Sequence, residues 1–121
     1  MKTTSTQATC TLPAAALFKT FAEPVRLRLL NLLAVDEEVC VCHLHETLDL
    51  PQPTVSRHLS ALRKSGLVIG RKEGLWVYYR LAKPKTKLHA ALLGCLRVCA
   101  ADSELLRRDR TLLSRKASCR A

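Results

Sequence analysis

The sequence predicts a mainly helical domain that carries one β-hairpin, and three features of the chain lead there. Apolar residues recur at helical spacing from Leu12 to Leu62. A stretch rich in β-branched and aromatic residues, Leu67 to Leu81, is split by Glu73-Gly74. At 121 residues the chain is long enough for one core and short for a second.

Each element follows from local chemistry. Leu12 to Ala22 places Leu17, Phe18 and Phe21 at helical spacing, and Pro24 then interrupts that helix while suiting the first turn of another. The second helix runs to about Val35, with Val25, Leu29, Leu32 and Leu33 on its buried face and Arg26 and Asn31 off it. Asp36-Glu37-Glu38 supplies negative charge where a helix N-terminus favours it, which predicts a third helix from near Val39 to about Leu48. Pro51-Gln52-Pro53 is a short break. The second proline can open a fourth helix that ends at Lys64-Ser65, with Gly66 as its stop. In that helix Val55, Leu59 and Leu62 form the inward stripe, and Arg57, Ser60 and Lys64 point away from it. A short helix, a tight turn and a helix with a basic outer face make a helix-turn-helix. The hairpin that follows is then a wing. Pro84 opens the last segment, where Leu88, Leu92, Cys95 and Cys99 recur in a short heptad seam that predicts dimerisation through terminal helices. A break is expected near residues 100–103, then a basic helical tail from about Leu105 to Lys116, open to disorder beyond Ser114. The expected organisation is a flexible arm at 1–11, a winged helix-turn-helix with its dimerisation helix at 12–100, and a tail at 101–121.

Charge narrows the function. Lys and Arg number 20 against 10 Asp and Glu. Residues 1–50 carry a net charge of −2, whereas 51–87 carry +8. A positive field confined to one third of a small domain favours a polyanion, with nucleic acid ahead of membrane because no strongly apolar amphipathic face accompanies it. Double-stranded DNA is the expected partner. At the N-terminal end of the fourth helix, Arg57 can bind guanine and Gln52 can pair with adenine, while Thr54 and Ser56 suit phosphate or base contacts. Ser60 and Lys64 lie on the same outer face. His58 is about 60° from the buried stripe and reads either as a core-edge residue or as a base reader. Arg71 and Lys72 on the wing are expected at phosphate or an adjacent minor groove.

Catalysis finds no support. There is no glycine-rich phosphate loop and no Cys-x-x-Cys redox pair. No apolar run approaches the length of a membrane span, and Met1 to Thr11 is polar, so a cytoplasmic protein is expected. There the six cysteines, Cys10, Cys40, Cys42, Cys95, Cys99 and Cys119, are expected as thiols. His43 and His45 read as partly exposed helix polar groups, since four zinc ligands within six residues are cramped.

The chain resembles a known family at five places taken in order: Glu23 to Leu30, Val39-Cys40-Val41-Cys42-His43-Leu44, Leu50 to Leu59, Gly66-Leu67-Val68 and Trp76 to Leu81. Together these look like the arsenic-responsive ArsR/SmtB repressors, over roughly residues 12–100. The resemblance implies a homodimeric winged helix that sits on operator DNA and leaves it when an inducer binds. Cys40-Val41-Cys42 looks like the motif of the branch that senses arsenite and antimonite, so the implied inducer is As(III) or Sb(III). That branch often has Asp where this chain has His43, and in some members a third Cys where it has His45. The family's zinc ligands on the last helix are not recognisable here.

Arsenite and antimonite are soft and favour thiolate. On a regular helix the side chains of Cys40 and Cys42 would diverge by about 200°, so ion capture is expected to unwind that turn. Cys10, on the arm, is a candidate third ligand. Cys95 and Cys99, at i and i+4, form a second candidate pair or pack in the seam. The rival expectations are a sensor of zinc, cadmium or thiol oxidation, and a constitutive architectural DNA-binding protein.

Overall fold

The computed structural model describes residues 13–115, which form six helices and three short strands. The helices are α1 (Pro13–Ala22), α2 (Pro24–Leu33), α3 (Val41–Leu48), α4 (Gln52–Lys64), α5 (Lys87–Asp102) and α6 (Glu104–Arg115). Strands β1 (Val39–Cys40), β2 (Val68–Glu73) and β3 (Trp76–Leu81) pair antiparallel in the order β1-β3-β2.

The helix-turn-helix and the wing lie where the sequence pattern puts them. Val55, Leu59 and Leu62 of α4 are fully buried against Leu29, Leu32 and Leu44. The helix ends in a Schellman arrangement, with the Leu67 and Gly66 amides donating to the Leu62 and Arg63 carbonyls, and Gly66 takes the φ of 82° that this closure requires. Gly74 adopts a φ of 60° in the two-residue hairpin turn, pairing Glu73 with Trp76.

The third helix begins later than its acidic approach suggests. Val39 and Cys40 are extended and pair with Tyr79 and Tyr78, so α3 starts only at Val41. Hydrogen bonds offered by β3 outcompete one more helical turn. Asp36-Glu37-Glu38 therefore lies in the preceding loop, outside any helical first turn.

Asn31 also departs from the expected pattern. It is fully buried, because α6 covers a second side of α2. Its Nδ2 donates to the Leu106 carbonyl at 3.0 Å, and its Oδ1 accepts from Arg110 Nε at 2.7 Å. Beside it, Arg28 donates two hydrogen bonds to Asp109, at 2.8 and 3.0 Å. The expected break is real and falls at Ser103, whose hydroxyl caps the next helix by accepting from the Leu106 amide.

Helix α5 buries His89, Leu96 and Ala100 within its own chain. Of the seam residues, Leu92 packs on the core, Leu88 and Cys99 are half-buried, and Cys95 is exposed. Thr86 caps α5 by accepting from the His89 amide. His89 Nδ1 accepts from the Lys85 amide, and burial, then the Lys85 charge, lowers the pKa of the ring below its ordinary 6.5.

Two outcomes follow. Asp109→Ala strands the Arg28 guanidinium and should cost about 2–3 kcal/mol in urea unfolding. Stability contributed by neutral His89 is complete above the ordinary imidazole value of 6.5 and is lost as pH falls through the lowered folded value. Thermal midpoints should therefore fall between about pH 7 and 5, and His89→Gln should flatten that limb.

Candidate sulfur cleft and nucleic-acid interface

Cys40 closes β1 as the residue before α3, with φ −70° and ψ 143°, and is buried; Cys42 is half-buried in the first turn of α3. Their sulfurs lie 2.9 Å apart. The expectation that the two side chains diverge, and that capture must unwind the turn, is thus overturned. Cys40 is extended rather than helical, which swings its side chain toward that of Cys42.

Of this pair Cys40 is a free thiol, whereas Cys42 is disulfide-bonded, which departs from the expectation that every cysteine is a thiol. Cys95 and Cys99 are also free. Cys10 and Cys119 lie outside the described residues. Among the described residues, no group of three or more His, Cys, Asp and Glu side chains is arranged to hold a metal.

The sulfur pair opens on a cleft of about 350 Å³ with three walls. One is the β1–α3 junction itself, with Cys40, Val41, Cys42 and His45. The second is the recognition helix α4, through Gln52, Ser56 and Ser60; the third is the wing, through Leu75, Trp76, Val77 and Tyr79. His45 Nδ1 lies 3.2 Å from the Leu50 carbonyl, so the neutral ring donates there and keeps the lone pair on Nε2. His43 instead turns inward and is buried, unlike the partly exposed group expected from sequence.

The expected DNA-reading residues gather on one side of α4. Gln52, Arg57 and Lys64 are exposed, and Thr54, Ser56 and Ser60 are half-exposed. Ser56, Arg57, Ser60 and Lys64 share a shallow concavity with Pro53. His58 Nδ1 lies 3.7 Å from Glu23 at the start of α2, which is the core-edge placement.

The two wing cations differ. Lys72 is exposed. Arg71 donates from Nε and Nη2 to Glu38 at 3.0 and 2.7 Å, donates from Nη1 to Glu73 at 2.7 Å, and stacks 4.8 Å above the Tyr78 ring. The bonds to Glu38 and then Glu73 raise its pKa above the ordinary guanidinium value. Two carboxylates thus balance the Arg71 charge before any phosphate arrives.

Sequence reasoning missed Glu38, Trp76 and Tyr79. Glu38 was hidden inside an acidic run read as helix-capping charge, and the two aromatics inside a strand read only as a wing.

A helix-turn-helix followed by a hairpin, with the basic face of its second helix open to solvent, defines a winged-helix DNA-binding protein. Residues 23–69 match the family model for the bacterial regulatory proteins of the arsR family. An uncharacterized HTH-type transcriptional regulator of Methanocaldococcus jannaschii is 46% identical over 74 residues, which cover 61% of this chain and 83% of that protein. The arsenical resistance operon repressor of Escherichia coli K12 is 52% identical over 66 residues, covering 54% of this chain but only 56% of the repressor. Among solved structures, the homodimeric winged helix-turn-helix DNA-binding domain of a possible ArsR-family regulator from Mycobacterium bovis superposes with a TM-score of 0.62 at 32% identity. That match covers 81% of this chain and 87% of the other. The chain belongs to the ArsR family of transcriptional repressors, which are DNA-binding regulators rather than enzymes. Among the described residues no helix is long and apolar enough to cross a membrane.

Lys and Arg contacts to phosphate make binding steeply salt-dependent. Arg57→Ala and Lys64→Ala should each reduce the log–log salt slope by about 0.9, and Arg71→Ala by clearly less, in fluorescence anisotropy with duplex DNA.

Proposed function

We propose that this protein is a homodimeric repressor that holds operator DNA until As(III) or Sb(III) binds the thiolates of Cys40 and Cys42. The observation that carries the reading is the shared cleft: Gln52, Ser56 and Ser60 wall the sulfur pair while belonging to the helix that faces DNA. Local charge supports the DNA role, and the sequence similarity to the Escherichia coli arsenical resistance operon repressor supports the metalloid. Dimerisation fits the apolar surface left open on α1, α5 and α6, where Phe18, Val98 and Leu105 are exposed. Residues 13–115 act as one DNA-binding unit, with α6 as its brace.

The switch is a spreading of the sulfurs. Two thiolates bound to one soft ion at about 2.3 Å each stand roughly 3.5 Å apart, against 2.9 Å between the sulfurs here, where Cys42 is disulfide-bonded, so reduction and capture together spread the pair. Cys40 is the side that yields, because α3 anchors Cys42. Its displacement passes through the Cys40–Tyr78 pairing to the wing, and the ion itself presses on the α4 wall. An inducer needs such a difference between the DNA-bound and free states. A coupling of about 1–3 kcal/mol lowers operator affinity by about 5- to 150-fold.

A second reading, release by thiol oxidation, draws on the disulfide at Cys42. A DNA-binding titration of reduced protein with arsenite, antimonite, cadmium, zinc and peroxide separates the two. Arsenite and antimonite should release DNA at the lowest concentrations, Cys40→Ser and Cys42→Ser should abolish release, and Cys95→Ser and Cys99→Ser should leave it intact. Release by peroxide alone favours the second reading. Loss of arsenite response in the Cys95 or Cys99 variants alone moves the sensor to α5.

A further inference from the structure

The sulfur cleft has two lips, and each belongs to an element of the DNA-binding unit. One is a ridge on α4: Ser56 and Ser60 line the cleft on one side and, on the other, the shallow concavity that holds Arg57 and Lys64. The other is the tip of the hairpin, where Leu75 is 95% exposed and Trp76 46% exposed. Cys42 lies half-buried between them, and Cys40 is buried beneath.

Continuity with the basic face of α4 fixes what can cover this opening. When a recognition helix lies in the major groove and a wing reaches the adjacent minor groove, the sugar-phosphate strand that separates the two grooves runs across the gap between helix and wing. Here that gap is the cleft. The hydroxyls of Ser56 and Ser60 and the side-chain amide of Gln52 suit phosphate oxygens, and Leu75 and Trp76 suit the apolar edge of deoxyribose. We infer that operator DNA bridges the two lips and closes the cleft, so that the sulfur pair is reachable only in protein that has left the DNA. The regulatory consequence rests on the reading of Cys40 and Cys42 as the inducer site. Arsenite then captures free repressor, lowering operator affinity at equilibrium without hastening departure from the operator.

The reduced, intact protein and a duplex that it selects from a random-sequence pool test this in three ways. N-ethylmaleimide is uncharged and so is not repelled by DNA. By mass spectrometry it should label Cys42 about a hundredfold more slowly with duplex at about a hundred times its Kd, and salt that releases the duplex should restore the rate. Leu75→Lys, at a side chain that the fold leaves in water, should add about 0.9 to the log–log salt slope, because its ammonium meets the bridging strand. With excess unlabelled duplex as a trap, arsenite should leave the dissociation rate of a preformed complex unchanged. The inference fails if Cys42 is labelled as fast on saturating duplex as off it, if Leu75→Lys leaves the salt slope unaltered, or if arsenite speeds dissociation. That last result leaves the metalloid reading standing; the metalloid reading fails separately if arsenite does not lower DNA affinity at equilibrium.

Discussion

Two backbone pairings, Val39 with Tyr79 and Cys40 with Tyr78, set the geometry on which the rest of the site depends. They hold the chain extended for two residues before α3 begins. Without them the helix would take in Cys40, and its sulfur would point away from that of Cys42. With them the sulfurs meet at 2.9 Å. The same pairings join Cys40 to the strand that forms half of the wing, so a displacement at Cys40 has a short route through the backbone to that hairpin.

A salt-bridge cluster reinforces that join. Glu38, one residue before β1, grips Arg71 of β2 bidentately, and Arg71 in turn stacks on Tyr78 of β3. Exposed ion pairs contribute little to stability singly, so the cluster matters for orientation more than for energy. It fixes the wing relative to the loop before β1 and leaves Lys72, Arg80 and the α4 cations outside any described ion pair. Positive field and sulfur chemistry therefore meet at one helix rather than on opposite ends of the molecule.

The periodic parts of the fold were legible in the sequence. Val55, Leu59 and Leu62 gave α4, its proline opening and glycine stop gave its limits, and the Glu73-Gly74 turn gave the hairpin. What stayed hidden depends on contacts between distant segments. A two-residue strand has no periodicity to detect, and an acidic run before a helix looks the same whether it caps the helix or binds an arginine 33 positions away. Asn31 looks like a surface residue until α6, 75 residues later, supplies the carbonyl it bonds. That Cys40 and Cys42 lie side by side was hidden for the same reason, because the spacing argument assumed a helix from near Val39, whereas α3 begins only at Val41.

Amide hydrogen exchange on the reduced protein, with and without arsenite, tests the central claim most directly. If capture spreads a preformed sulfur pair, whichever of the Val39–Tyr79 and Cys40–Tyr78 pairs carries the β1–β3 hydrogen bonds changes its amide protection while Val41–Leu48 keeps the protection of an intact helix. Loss of protection in the first turn of α3 with an unchanged β1–β3 pairing would contradict it.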